Sequence, residues 1–248
     1  LYLWGVSAAA ADLAAELRGV GPFRQLSPDR IHRLAEQAAR REVPAGEYVW
    51  RRGEAPRSFI VVREGLVAVQ RDTAEGESVL LALFGPGDTL CVVPALQHMP
   101  FPADAVAVAE RTVVLSVAAA PILDALDRDA ELAAAVNRAL LEHTTSLRSK
   151  IDIVSAGTVP RRVAALLLHL ARRFGRVLDD GTIEIHPAAT REQIGRLVNA
   201  RTETVIRIMS RWSKAGWIEG VVPTLRLLRA DMLRRIAPDA PGATAPGR

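Results

Sequence analysis

Between Val43 and Val117 the chain is cut into short β-rich runs by glycine turns, and few folds accept that texture. Val43-Pro44-Ala45-Gly46 leads into Tyr48-Val49-Trp50, and Arg52-Gly53-Glu54 into Ser58 to Val62. Glu64-Gly65 precedes Leu66 to Gln70, and Glu75-Gly76-Glu77 precedes Val79 to Leu83. Gly85-Pro86-Gly87-Asp88 follows, with final strands expected near Ala105–Ala109 and Thr112–Val117. Apolar strands this short, at near-regular spacing, predict a barrel or jelly roll.

The flanking segments read as helices. Residues 1–21 are Ala-rich with no clear anchor. Ser27-Pro28-Asp29-Arg30 combines a Ser N-cap, Pro at the first helical position and an acid in the first turn. Ile31, Leu34 and Ala38 then predict a helix to about Arg41. After the barrel, Pro121 opens a helical stretch to about Val154, with Asp124, Asp127 and Asp129 crowding its start. Along it Val136, Leu140, His143, Leu147, Ile151 and Val154 form one narrow stripe. Such a stripe is the seam of a coiled coil between two chains, or a face laid on the chain's own barrel. The polar opposite face favours the first, a homodimer.

The remaining residues carry the chemistry. A helix is expected over 160–175, then a hairpin at Asp179-Asp180-Gly181, then two helices over 190–198 and 202–215. Trp217-Ile218 and Leu225–Leu228 read as strands of a wing, and 238–248 as a disordered tail. Thr190-Arg191-Glu192-Gln193 has the spacing of a capping box, and Asn199-Ala200 suits a tight turn between the helices. A winged helix-turn-helix of this form lays the start of its second helix in the major groove. Thr202, Glu203, Ile206 and Arg207 occupy that position and are the expected base readers. Arg207 can donate twice to guanine, and Glu203 can accept from a cytosine amino group. As an i, i+4 pair they can also hold each other's rotamers. Thr190, Arg191, Arg196, Arg201, Ser210 and Arg211 are the expected phosphate contacts.

Charge partitions along the same boundary. Residues 1–155 carry a net −4 and residues 156–248 a net +8, so the second half suits double-stranded DNA as its partner. The single cysteine, Cys91, excludes a disulfide framework within the chain. Asp12, Glu16 and Arg18 interrupt the apolar residues 5–20, and no membrane-length run occurs. A cytoplasmic location and no membrane partner are therefore expected.

These residues resemble the CRP/FNR family of bacterial regulators over about residues 22–235. The most specific stretches are Thr190-Arg191-Glu192-Gln193-Ile194-Gly195 and Glu203-Thr204-Val205-Ile206-Arg207-Ile208. Gly46, Gly53, Gly65 and Gly87 match the family's barrel turns. The resemblance implies an α+β fold: an N-terminal double-stranded β-helix (jelly-roll) sensor domain over 22–120, a dimerisation helix and hinge over 121–157, and a C-terminal winged helix-turn-helix over 158–237. It also implies transcription regulation by a dimer on a pseudo-palindromic operator, with RNA polymerase a further partner if the protein activates. Family members commonly place Ser or Gly where Ile206 stands.

The sensor departs from the cyclic-nucleotide pattern. There the family has a Gly-Glu step after Pro-Gly-Asp, for the ribose, and an Arg-Ser/Thr-Ala further on, for the phosphate. Aligned on Pro86-Gly87-Asp88, this chain has Cys91-Val92 and Pro102-Ala103-Asp104. A phosphate buried without a cation is strongly disfavoured, so cAMP and cGMP are not expected as effectors. One cysteine also excludes the four-cysteine iron–sulfur type. Leu96-Gln97-His98-Met99-Pro100-Phe101-Pro102 resembles the branch that senses nitric oxide through haem, and the candidate axial ligands are Cys91, His98, Met99 and His143. Two alternatives belong to other classes. A cupin-like enzyme needs a His-x-His pair that the five histidines do not supply, so no enzymatic activity is expected. A ligand-binding subunit regulating a protein partner would leave Glu203, Arg207 and the basic half unexplained.

Overall fold

The computed structural model describes residues 3–72, 78–220 and 223–240. The expected turn at Glu75-Gly76-Glu77 and residues 241–248 of the expected tail lie outside them. The chain forms two compact units that divide between Thr144 and Thr145.

The N-terminal unit begins with α1 (Leu3–Arg18), a 3₁₀ turn (Gly21–Gln25) and α2 (Pro28–Ala35). Its strands are β1 (Ala38–Pro44), β2 (Tyr48–Trp50), β3 (Ser58–Glu64), β4 (Val67–Asp72), β5 (Ser78–Phe84) and β6 (Thr89–Leu90). A short α3 (Val92–Leu96) precedes β7 (Asp104–Ala107) and β8 (Arg111–Ala118). They make two four-stranded sheets, β1-β8-β3-β6 and β2-β7-β4-β5, all antiparallel. This is the expected jelly roll. Between the sheets lie Trp50, Ile60, Val62, Val67, Phe84, Leu90, Phe101 and Val114. Trp50 and Phe101 stack at 4.5 Å, and Trp50 Nε1 donates to the Ala103 carbonyl at 2.9 Å.

The other face of the first sheet is covered by helices. Phe59, Val61, Leu115 and Val117 pack there against Leu17 of α1, Ile31 of α2, Ile122 of α4 (Ala119–Leu123) and Leu132 of α5 (Ala130–Val154). Burial on both faces explains why β3 and β8 read as continuous apolar runs rather than alternating ones.

Three expectations are corrected. The helix at 28–41 stops at Ala35, because Ala38–Pro44 pair residue for residue with Arg111–Val117 as β1. Sheet pairing overrides the helix-forming composition of Ala38-Ala39-Arg40-Arg41. The helical stretch from Pro121 is two helices, with residues 124–129 between them. Asp129 starts the second, its Oδ1 accepting from the backbone N–H groups of Glu131 (3.2 Å) and Leu132 (3.3 Å). The stripe on α5 is also divided: Val136 is buried in the protomer's own core and Leu140 packs against it, while Leu147 is 49% and Ile151 62% exposed.

The C-terminal unit is built around α6 (Val159–Phe174), buried without a break from Val163 to Ala171. Around it lie β9 (Gly175–Val177), β10 (Ile183–Ile185), α7 (Arg191–Leu197), α8 (Thr202–Lys214), β11 (Ile218–Glu219), β12 (Leu225–Leu227) and α9 (Ala230–Ile236). The strands form one antiparallel sheet in the order β11-β12-β10-β9. Among the described residues, no helix is long and apolar enough to cross a membrane.

Candidate nucleic-acid interface

The interface starts from a helix that the sequence caps twice. Thr190 Oγ1 accepts the Gln193 N–H at 3.1 Å, and Gln193 Oε1 accepts the Thr190 N–H at 2.8 Å. Both orphan donors are satisfied, so α7 begins at a fixed place. Ile194, Leu197 and Val198 are buried beneath it. Asn199 then adopts a left-handed φ of 51°, which asparagine tolerates better than most residues, and the chain turns into α8. The turn is held by Ala200 donating to the Gly195 carbonyl at 2.9 Å and by Arg162 Nη1 donating to the Asn199 carbonyl at 3.3 Å. Sequence reading missed Arg162; nothing local in its surroundings signals a partner 37 residues away.

Helix α8 is strongly two-sided. Val205, Ile208, Met209 and Trp212 are buried, whereas Glu203, Ile206, Arg207, Ser210 and Arg211 are exposed. The helical period therefore places three of the four expected base readers on one open face, with Thr202 half-buried at its start. Glu203 and Arg207 are not paired in the free protein. Arg207 Nη2 instead donates to Thr204 Oγ1 at 3.5 Å, a long and weak contact. A guanidinium so loosely held keeps its donors available to a base edge.

The expected phosphate contacts differ in their freedom. Arg196 is tied to Glu192 at 2.6 Å, one turn back on α7. Arg191 is half-buried, its Nη2 reaches the Gly220 carbonyl at 3.5 Å, and burial lowers its pKa from the ordinary arginine value. Arg201, Ser210 and Arg211 are exposed. The Thr190 hydroxyl uses its oxygen in the cap but keeps its proton to donate. In the adjoining sheet, Glu184 accepts from both Arg176 (3.0 Å) and Arg226 (3.1 Å), which lowers its pKa.

Comparison with known proteins follows the same division. Residues 40–129 match the cyclic nucleotide-binding domain family, and residues 161–236 match the Crp-like helix-turn-helix domain family. A CRP-like cAMP-activated global transcriptional regulator of Mycobacterium tuberculosis is 27% identical over 211 residues, spanning 82% of this chain and 89% of that one. The chain belongs to the CRP/FNR family. The cyclic AMP receptor protein of Thermus thermophilus is 25% identical over 222 residues, covering 89% of this chain and 98% of the other. A solved CRP-family transcriptional regulator from Thermus thermophilus shares the fold, with a TM-score of 0.67 at 23% identity, over 82% of this chain and all of that one. As a CRP/FNR protein, this chain is a DNA-binding transcription regulator.

The effector residues of this CRP/FNR chain are less well gathered. Cys91 is buried in the barrel core with a left-handed φ of 73°, and desolvation raises its pKa, so the thiol stays protonated at neutral pH. His98 and Met99 are exposed on the turn after α3. His143 lies half-buried on α5, its pKa lowered by desolvation. A protonated core thiol and two solvent-facing side chains do not fit an axial ligand set for haem. Nor does a cyclic nucleotide's phosphate find a cation here: α3 is Val92-Val93-Pro94-Ala95-Leu96, and the Asp104 carboxylate accepts the Arg52 backbone N–H at 2.7 Å.

Proposed function

We propose that the protein acts in the cytoplasm as a homodimer that reads a pseudo-palindromic operator with α8. Thr202, Glu203, Ile206 and Arg207 meet base edges, and Thr190, Arg191, Arg201, Ser210 and Arg211 meet phosphates. Arg196 joins them once released from Glu192. The observation that carries this reading is the exposure of Glu203, Ile206 and Arg207 on a helix whose opposite face is wholly buried. Pairing of two chains through Leu147, Ile151 and their neighbours on α5 would cover apolar surface that one chain leaves in water. Two recognition helices would then stand roughly 34 Å apart, one turn of DNA. RNA polymerase becomes a partner where the bound dimer activates transcription. The barrel carries the signal, and neither a cyclic nucleotide nor haem is part of this reading.

Selection of binding sites from random duplexes tests it. The enriched sequence should have two inverted half-sites, each with a G·C pair. On that sequence Arg207→Ala should lose about 1–3 kcal/mol per half-site, while Arg24→Ala in the other unit should lose nothing. Equal binding by the Arg207 variant would refute the assignment.

A further inference from the structure

Outside the barrel core, a cavity of about 210 Å³ opens between α2, β8, α4 and the first turns of α5. We propose that it binds a compact amphipathic carboxylate, one aromatic ring or a short alkyl chain bearing a single acid group. Leu34, Pro121 and Leu132 supply an apolar floor, and Arg30 and Arg33 stand at the edge. Size selects the ligand class. Drug-sized molecules need roughly 300–1,000 Å³, whereas an apolar cavity of roughly 150 Å³ already takes benzene.

Charge selects the acid group. Arg30 Nε lies 2.8 Å from Asp129 Oδ2, and that carboxylate is almost fully buried. Its other oxygen takes two backbone N–H groups at the start of α5. The Asp129 charge is thus already met by Arg30 and by the helix end. Arg33, in the next turn of α2, has no ion-pair partner among the described residues, and nearby Glu36 lies 3.7 Å from His32. The edge of the cavity therefore carries an uncompensated positive charge, and Arg30 keeps terminal N–H groups beyond the one facing Asp129. A carboxylate bridging Arg30 and Arg33, with its apolar body on Leu34, Pro121 and Leu132, satisfies every group. It also competes for Arg30 with Asp129, the residue that caps α5. The regulatory consequence rests on the reading of the protein as a regulator; the binding does not.

Isothermal titration of the full chain with benzoate and hexanoate at millimolar concentration tests the site, with acetate and benzamide as controls. Benzoate and hexanoate should bind at one site per chain. Acetate lacks the apolar body and benzamide lacks the charge, so each should bind at least about tenfold more weakly. Arg33→Glu, at an exposed position, should weaken benzoate by a similar factor or more. Absence of benzoate binding, equal binding of benzamide or acetate, or no effect of Arg33→Glu each overturns the proposal. Arg207→Ala should abolish operator binding and leave the benzoate isotherm unchanged, so the two readings fail separately.

Discussion

Gly195 and Ala200 are locked backbone to backbone: the Gly195 carbonyl accepts the Ala200 N–H at 2.9 Å, and a Cβ on Gly195 would stand 2.9 Å from the Ala200 carbonyl oxygen. No flexible side chain is available to give way. Gly195→Ala should therefore spread the turn between α7 and α8 and cost about 1–3 kcal/mol, measured by urea unfolding. Gly19→Ala, where the nearest atom would be 3.6 Å away, should be harmless. Unchanged stability in the Gly195 variant would show that the two helices are not held at this point.

Ile206 is 46% exposed on a helix face that is otherwise polar. An apolar group there suits the methyl of thymine. Replacing individual thymines of the operator with uracil removes only that methyl. One position per half-site should lose about 1 kcal/mol of affinity, near the value of one buried methylene. Ile206→Ala should lose a similar amount and should no longer respond to the uracil. If the two losses simply add, Ile206 and that methyl do not touch.

Leu147 and Ile151 give the dimer its test. Leu140 is a poor choice, because it packs on its own core and its replacement would damage the barrel unit. Ile151→Asp puts a carboxylate on a 62% exposed position and should leave folding intact. Sedimentation should show monomers at micromolar concentration, with operator binding lost together with dimerisation. A monomer that binds a full operator as tightly as the parent protein contradicts the scheme.

His169 supplies a pH dependence. It is buried in α6, its Nδ1 has no hydrogen-bond partner, and its pKa is lowered to about 4 by desolvation, with Arg173 and Arg172 adding to it. The unfolded chain binds this proton near pH 6.5, whereas the folded protein resists until about pH 4. Between those values the unfolded state holds more protons, so stability falls as pH falls. The loss should approach roughly 3 kcal/mol below the window. Urea unfolding at pH 7 and pH 4.5 should show most of it in the parent protein and little in His169→Leu. Identical slopes for the two would place the acid sensitivity elsewhere.

How much of this was legible in the sequence depended on distance along the chain. The helix-turn-helix was readable because its signals are local: Thr190 caps a residue three positions on, and α8 declares its buried face within four turns. The jelly roll was readable from its turn glycines. β1 was not, because Ala38 to Arg41 form helix readily and their strand is imposed by Arg111–Val117, some seventy residues later. The short α3 and α9 left too few residues for a period to show. On α5 the spacing of Val136, Leu140, Leu147 and Ile151 revealed an apolar row, but periodicity does not say what covers it, and the row turned out to be divided. The four haem candidates were chosen by residue type alone; burial separates Cys91 from His98 and Met99.

Trp50 lying flat on Phe101 makes the middle of the jelly roll solid. A domain plugged in this way offers incoming molecules its outer walls and the seams beneath its helices, much as a clenched hand can be pushed but not filled. Compound libraries built to mimic nucleotides would probe the wrong side of it.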